Sequence, residues 1–284
     1  MRAVVVLFAV ASSLFAVEPS SYRQALDLYN HTDYPAAISS LRTLPQTAET
    51  LELLGRCYLM QADSKKAVEA LEKAVALDPK NSDTLTWLGR AEGRRAETAV
   101  ALGAVSHANK ARAALEKAVQ LDPRNKEALD DLFDYYIQAP GFMGGGFDKA
   151  AALLPLIAKV NPAEAQFAQG RMAEQKKDFE TAEAHFRRTV ELAPHSVGRL
   201  LDLAQFLAKR GRTNESEKVY EQACRLEPGA PRVLFARAQI WIQSKRNLTE
   251  AREILQKYLS LKNLTPDDPS RSEALQLLKK TDGV

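Results

Sequence analysis

The chain has 284 residues, of which 45% are hydrophobic, 26% are charged and 7% are aromatic. This balance is that of a folded protein and excludes an intrinsically disordered chain. The net charge of +3 is too small to indicate nucleic-acid binding or binding to an anionic membrane surface.

The first residues have the pattern of a secretory signal peptide. One arginine precedes an apolar run from Ala3 to Val10, and Ala16 is a small residue at a suitable cleavage position. We therefore predict a signal peptide at residues 1–16, cleaved after Ala16 or, as the alternative, after Ala11. The run is shorter than the roughly 20 residues of a membrane-spanning helix, so an uncleaved membrane anchor is less favoured. The expected location is periplasmic or secreted if the source is a bacterium, and no membrane span is expected in the mature chain.

The stretch that ends at Pro79 predicts two amphipathic helices joined by a short turn. Leu51, Leu54 and Tyr58 share one face of the first helix, because residues three and four apart are neighbours on a helix. Gly55 is small where the backbone of a second helix must come close. Pro79 ends the unit, because the residue before a proline is disfavoured in helical conformation. Such a pair cannot bury its apolar face alone and needs neighbours of the same kind.

This unit resembles the tetratricopeptide repeat, whose motif spaces glycine, tyrosine, alanine and proline in a similar way over a period of about 34 residues. The resemblance covers the chain from about residue 18 to about residue 266. It implies an all-α, right-handed α-solenoid of about seven helix-turn-helix repeats, whose first helices line a concave groove that binds peptides or protein segments. The repeats are predicted near 18–47, 48–81, 82–125, 126–162, 163–196, 197–230 and 231–266, followed by a capping helix at 270–280.

Two repeats are longer than the period predicts. The third has about ten extra residues between Gly93 and Lys110, which we interpret as additional turns on both helices, projecting from one side of the array. The fourth contains a glycine-rich loop at residues 141–146, because glycine is unfavourable inside a helix. This loop is either structural or an exposed contact loop that uses Phe142 and Met143. It lacks the Gly-Lys-[Ser/Thr] ending and the preceding strand of a phosphate-binding loop.

The repeat frame places three arginines of the first helices inside the groove. Arg56, Arg90 and Arg94 could bind a carboxylate of a ligand through forked hydrogen bonds. The alternative is that they pair with acidic residues of the groove itself. Those acidic residues are Glu52, Asp130 and Asp134. The full set of candidate groove residues is Arg56, Arg90, Arg94, Asp130, Asp134, Phe167, Arg171, Gln205, Phe235 and Gln239.

No catalytic site, cofactor site or metal site is predicted. The four histidines lack histidine or cysteine partners at metal-ligand spacing and are expected at the surface or in the groove. No Gly-x-Ser-x-Gly nucleophile motif occurs in the sequence. Cys57 and Cys224 are predicted to be free thiols, because they lie several repeats apart and neither belongs to a Cys-x-x-Cys motif.

The sequence therefore favours a non-catalytic, exported scaffold that binds a protein or peptide segment in the groove. The alternative is a structural subunit of a cell-envelope machine for export, pilus or outer-membrane assembly. An enzyme or small-molecule binder that uses the side with the long insert is the third and least favoured hypothesis. The lysine and asparagine pattern of repeat proteins that clamp a C-terminal carboxylate is missing, and no nucleic-acid partner is expected.

Overall fold

A computed structural model describes residues 19–100 and 102–281, and the predicted signal peptide with both cleavage sites lies outside them. Within these ranges the secondary structure consists of fifteen α-helices and one short 3-10 turn at Gly141–Met143, with no strand. The helices are α1 (Pro19–Asn30), α2 (Tyr34–Leu41), α3 (Ala48–Met60), α4 (Ser64–Leu77), α5 (Ser82–Thr98), α6 (Leu102–Leu121), α7 (Lys126–Gln138), α8 (Phe147–Val160), α9 (Pro162–Gln175), α10 (Phe179–Leu192), α11 (Val197–Lys209), α12 (Thr213–Leu226), α13 (Pro231–Gln243), α14 (Leu248–Ser260) and α15 (Arg271–Lys279).

The described helices form seven consecutive pairs, from α1 and α2 to α13 and α14, and α15 follows as the capping helix. The two helices of a pair pack on each other. First helices of adjacent pairs also contact one another, as α3 does with α5 and α5 with α7. This arrangement confirms the predicted all-α solenoid of helix-turn-helix repeats. No helix in the described part of the chain combines the length and the hydropathy needed to cross a membrane.

Close packing within a pair depends on glycine at one position of the first helix. A Cβ atom on Gly55 would lie 2.5 Å from Cγ of Leu71, and a Cβ atom on Gly89 would lie 2.6 Å from Cγ of Leu115. Both leucines belong to the buried core. A larger residue in place of either glycine would push the two helices apart. The same contact therefore marks equivalent positions in the second and third repeats.

The third repeat has a longer helical hairpin than its neighbours. α5 has 17 residues and α6 has 20, whereas α3 has 13 and α4 has 14. Beyond the contact of Gly89 with Leu115, α5 continues to Thr98 and α6 begins at Leu102, so both helices are extended at their shared turn. At about 1.5 Å per residue the extension amounts to about 6–9 Å. The structure confirms the additional turns predicted for residues 93–110, and we call this projection the extended hairpin.

A buried acid joins the two helices of the extended hairpin. Glu92 stands where the repeat motif has tyrosine, and it is 1% exposed. Its Oε2 lies 2.5 Å from Nδ1 of His107, and the other ring nitrogen, Nε2, accepts a hydrogen bond of 3.2 Å from Nε of Arg95. Nζ of Lys110 lies 3.5 Å from Oε1 of Glu92. His107 therefore belongs to a polar cluster inside the hairpin, rather than to the surface or the groove, because the added turns bring it opposite Glu92.

The glycine-rich loop packs against α6 of the preceding repeat. Gly145 has no room for a side chain, because a Cβ atom there would lie 1.9 Å from the carbonyl oxygen of Ala139. The hydroxyl of Tyr135 donates a hydrogen bond of 2.7 Å to the carbonyl oxygen of Met143 and so holds the 3-10 turn in place. Phe142 is 74% exposed. The side chain of Met143 is half-buried, so the two predicted contact residues differ in their access to solvent.

The two ends of the solenoid meet. Nη1 of Arg271, at the start of α15, donates a hydrogen bond of 3.4 Å to Oγ1 of Thr32 in the turn between α1 and α2. Nη2 of the same arginine donates to the carbonyl oxygen of Leu261 over 2.7 Å. Tyr34 lines a cavity of about 180 Å³ at this junction. The capping helix thus contacts the first repeat as well as the last.

Candidate functional site

The first helices of the repeats, α1, α3, α5, α7, α9, α11 and α13, form one face of the solenoid, which we call the groove face. A cavity of about 390 Å³ lies on this face where α3, α5 and α7 come together. Its wall combines two cationic side chains, four carboxylates, one amide and one aromatic ring. The lining residues are Glu52, Arg56, Asp83, Trp87, Asp122, Asn125, Lys126 and Glu127.

Arg56 contacts two aromatic rings, one on each neighbouring first helix. Its guanidinium lies 4.7 Å from the ring centroid of Tyr29 and 4.7 Å from that of Trp87. Its polar contacts are long, since Nη1 is 3.7 Å from Oε1 of Glu52 and Nη2 donates to the Tyr29 hydroxyl over 3.4 Å. Its buried Nε has no hydrogen-bond partner among the described residues. Arg56 is therefore held mainly by the rings, and its two terminal nitrogens, rather than the buried Nε, are the groups that can donate to a ligand.

Arg90 is bound to the wall of the groove by two carboxylates of α7. Its Nε lies 2.5 Å from Oδ2 of Asp131, and its Nη1 lies 2.9 Å from Oε2 of Glu127. The guanidinium is also 4.5 Å from the ring centroid of Trp87. Burial raises the pKa of Asp131, and the positive charge of Arg90 opposes that rise. These contacts join the first helix of the third repeat to that of the fourth.

Two further arginines link α7, α9 and α11 in the same way. Arg171 on α9 pairs with Asp134 on α7. Arg199 on α11 places Nη2 2.6 Å from Oε2 of Glu164 on α9, and its guanidinium lies 3.6 Å from the ring centroid of Phe167. Arg199 is absent from the residues that the sequence proposes for the groove. Its separation of 35 residues from Glu164, close to one repeat, is a signal that could have revealed this pair.

We call these bonds between first helices the ion-pair ladder; it consists of Arg90–Asp131, Arg171–Asp134 and Arg199–Glu164. The ladder uses groove arginines to hold the repeats in register. Removing one partner of such a half-buried pair leaves the other charge unpaired, which is unfavourable. A ligand carboxylate would have to displace Asp131 before it could bind Arg90, whereas Arg56 presents no comparable obstacle.

Asp130 is a half-buried acid of the groove face that takes part in no ion pair within the described structure. Burial, followed by the negative charge of Glu164, raises the pKa of Asp130 to about 6, while Lys126 and Arg199 oppose this rise. The structure thus shows that Arg90 pairs with Asp131 and not with its neighbour Asp130. An acid with this pKa changes its charge just below neutral pH.

Comparisons with known proteins agree on the repeat. Sequence models of the tetratricopeptide repeat match residues 48–81, 144–197 and 197–240. The chain belongs to the tetratricopeptide repeat (TPR) proteins. These matches fall in the second repeat and in the repeats around α8 to α13, where the helices have their usual lengths.

Solved structures share the fold at low sequence identity. A TPR protein of Thermus thermophilus matches with a TM-score of 0.55 and 22% identity, covering 66% of this chain and 97% of its own. A TPR protein of Parabacteroides merdae matches with a TM-score of 0.59 and 17% identity, covering 92% of this chain and 99% of its own. At these identities the likeness establishes the fold alone. No curated protein matches the chain.

Two candidate residues of the TPR groove lie elsewhere in the structure. Nη1 of Arg94 is 3.0 Å from Oε2 of Glu97, on the extended hairpin and outside the cavity lining. Phe235 is 7% exposed and lies in the core, where its ring centroid is 5.4 Å from that of Tyr258. It packs between the two helices of the last TPR pair and is therefore not accessible to a ligand.

The C-terminal part of the TPR groove face offers polar groups rather than exposed rings. Gln205 on α11 and Gln239 on α13 are half-buried. Phe167 on α9 is also half-buried, and its ring is contacted by the guanidinium groups of Arg199 at 3.6 Å and Arg171 at 6.0 Å. Two arginines of the protein thus cover the ring of Phe167, which the sequence proposes for ligand contact.

The described residues contain no group of histidine, cysteine and acidic side chains arranged to hold a metal ion. Nδ1 of His185 lies 2.8 Å from Oε1 of Gln166 and is used in the TPR framework itself. Cys57 is fully buried, and burial raises the pKa of its thiol to about 12, so the thiol stays protonated at neutral pH. TPR proteins are typically non-catalytic, and these side chains have structural partners that account for them.

Proposed function

We propose that this TPR protein is a non-catalytic scaffold that binds a segment of a partner protein on the groove face. TPR repeats indicate protein–protein interaction in general. The observation that carries the more specific proposal is the cavity of about 390 Å³ between α3, α5 and α7. Three first helices and the short turn before α7 line it, and helices position binding groups more rigidly than loops do.

The ion-pair ladder leaves several groups of the cavity available to a ligand. Arg56 makes only long polar contacts through its two terminal nitrogens. The side chains of Lys126 and Glu127 are 52% and 62% exposed, and each keeps one ion-pair partner, Glu164 at 3.7 Å and Arg90 at 2.9 Å. A partner segment can therefore bond to groups of both signs while the pair of Arg90 with Asp131 stays intact. Recognition of this kind is polar, and we expect it to weaken as the salt concentration rises.

Site-specific photo-cross-linking tests the groove. A photoreactive residue in place of Glu127 lies in the cavity lining. One in place of Lys73 is exposed on α4, the second helix of its repeat. In extracts of cells that produce the protein, we expect a discrete cross-linked protein from position 127 and none from position 73. Equal cross-linking from the two positions would contradict binding on the groove face.

Charge exchange at the cavity provides the matched test with the captured partner. Lys126→Glu combined with Glu127→Lys inverts the local charges and keeps the net charge. Glu69→Lys combined with Lys73→Glu makes the same exchange on the exposed face of α4. We expect the first variant to weaken binding about tenfold or more, because like charges then face each other across the interface. The second variant should bind as the unmodified protein does.

We also propose that the protein is exported and is periplasmic or secreted. The proposal is supported by the basic start, the apolar run and the small residue at the cleavage position. The intact mass of protein isolated from the cell envelope or the culture medium tests it. We expect Val17 as the first residue, or Ser12 after cleavage at the alternative site. A cytoplasmic protein that still begins with Met1 would contradict export.

The alternative, a structural subunit of a cell-envelope assembly machine, predicts a different native size. Size-exclusion chromatography of a mild detergent extract separates the two. A scaffold should elute as a monomer or as a small complex with one partner. A stable large assembly that contains most of the protein would favour the subunit.

A further inference from the structure

The turn of the extended hairpin carries an exposed apolar tip. Val100 and Leu102 are 85% and 87% exposed, the highest values for large hydrophobic side chains in the described structure. No charged residue occurs from position 98 to position 106. Because both helices run about 6–9 Å past the equivalent turn of the second repeat, the tip stands clear of the edge of the array.

The tip stands on an ordered support. Glu92 and His107 join α5 to α6 inside the hairpin. Ala91, Ala108 and Ala111 are buried between the same two helices, which lets the backbones approach closely. The exposure of the tip is therefore set by the length of two packed helices, and these hold its side chains away from the rest of the molecule.

The area of the tip is too small for a stable protein interface. Two aliphatic side chains offer on the order of 200 Å² of apolar surface. A stable interface buries about 800 Å² on each partner, much of it against a complementary surface. A lipid bilayer needs no complementary surface, because its acyl chains adapt to whatever apolar group enters. The geometry of a narrow apolar projection thus favours a lipid surface over a protein.

The charges at the base of the tip fit anionic headgroups. The side chains of Arg94 and Lys110 are 64% and 54% exposed, and each has an exposed acidic neighbour: Glu97 lies 3.0 Å from Arg94, and Glu72 of α4 lies 3.6 Å from Lys110. Ion pairs this exposed are weak and can open toward a lipid headgroup. Arg94 lies four residues, or about 6 Å along α5, before the end of that helix at Thr98, which is within the depth of about 5–10 Å between buried apolar groups and lipid headgroups. Residues 92–110 carry three cations and two acids, so the hairpin itself has a small positive net charge of +1.

We propose that the extended hairpin is a membrane-contact element. Val100 and Leu102 enter the outer acyl region of a bilayer that contains anionic lipid, while Arg94 and Lys110 meet the headgroups. The tip lies at the turn of the hairpin, and the groove face lies along the first helices. Contact with a bilayer therefore leaves the groove open, and the inference does not depend on the proposed scaffold function.

Flotation with lipid vesicles tests the proposal on the full protein. The vesicles contain phosphatidylglycerol and phosphatidylcholine in equal parts, or phosphatidylcholine alone. We expect flotation with the anionic vesicles that decreases at high salt and is weaker without phosphatidylglycerol. Val100→Asp combined with Leu102→Asp should weaken partitioning about tenfold or more. The matched control, Leu77→Asp combined with Leu275→Asp, changes leucines that are 58% and 49% exposed elsewhere and should float like the unmodified protein.

A tryptophan at the tip gives a second measurement. In Leu102→Trp, brominated lipids should quench the added fluorescence, while Trp87 and Trp241 of the unmodified protein stay unquenched. Failure of the unmodified protein to float, or equal flotation of both aspartate variants, would overturn the proposal. Concentration-dependent dimerisation without vesicles, lost on Val100→Asp with Leu102→Asp, would also overturn it and assign the tip to a second copy of the chain. Circular dichroism verifies that each variant is folded.

Discussion

Oε2 of Glu92 lies 2.5 Å from Nδ1 of His107, and this carboxylate is 1% exposed at the base of the extended hairpin. A buried carboxylate is stable only when it is paired and hydrogen-bonded. Arg95, which donates to Nε2 of the same imidazole, completes the set of bonds. In the third repeat, the pair of Glu92 and His107 thus takes the place of the tyrosine ring of the repeat motif.

Removal of the histidine should loosen the extended hairpin. His107→Ala leaves Glu92 buried beside Lys110, and loss of one partner from a buried pair costs about 3 kcal/mol. We expect faster amide hydrogen exchange across residues 93–110 and unchanged exchange in α9–α14. Glu92→Leu combined with His107→Leu removes both polar partners and should cost less than His107→Ala alone. If the double variant were destabilised more than His107→Ala, the unpaired charge of Glu92 would not be the cause of the lost stability.

Asp130 should make stability depend on pH. The pKa of a free aspartate is about 3.9, and burial together with Glu164 raises that of Asp130 to about 6. Between about pH 4 and pH 6 the folded protein therefore binds a proton that the unfolded chain does not, and stability falls as the pH rises through this window. Asp130→Asn should stabilise the protein by about 1–2 kcal/mol at pH 7 and leave it unchanged near pH 4.

Thermal denaturation at the two pH values measures the effect of Asp130→Asn. The control is Asp178→Asn, at an exposed helix cap where hydrogen bonds from Thr181 lower the pKa of the aspartate. This control should bring no gain in stability at pH 7. A gain at pH 4 as large as that at pH 7 would rule out titration of Asp130 as the source.

The ion-pair ladder should contribute more to stability than ion pairs at the surface. Arg90→Ala leaves the half-buried Asp131 without its cation and should cost about 2–3 kcal/mol. Arg188 forms a pair of 2.8 Å with Glu191, and their side chains are 56% and 63% exposed. Arg188→Ala should therefore change stability by no more than about 0.5 kcal/mol. Equal losses, measured by thermal denaturation under the same conditions, would contradict a structural role for the ladder.

The glycine-rich loop should tolerate alanine at one end and not at the other. A Cβ atom on Gly145 would lie 1.9 Å from the carbonyl oxygen of Ala139, whereas one on Gly141 would meet nothing within 4 Å. Gly145→Ala should cost about 2 kcal/mol or more, because the backbone must move to relieve the overlap. Gly141→Ala should leave the melting temperature nearly unchanged. Limited proteolysis at the loop gives an independent measure, and equal cleavage in both variants would contradict the steric explanation.

The fold could be predicted from the sequence, while only part of the candidate site could. Arg56 and Arg90 were correctly placed on first helices, because the repeat period alone assigns that position. The repeat frame assigned Asp130 to the groove beside Arg90, whereas the structure pairs Arg90 with Asp131. Adjacent residues on a helix point about 100° apart, so a small rotation decides which one faces the groove. The orientation of α13 about its own axis likewise places Phe235 in the core.

The sequence by itself determined the helix pairs, their repetition and the additional turns at residues 93–110. These features follow from spacings within one repeat, where helix periodicity, small residues at contacts and proline at helix ends act over short distances. Only the tertiary structure decided that Glu92 meets His107 and that Arg271 reaches Thr32 across the two ends of the array. Such contacts depend on the length of a projection or on rotations that accumulate from repeat to repeat, and no local pattern encodes either.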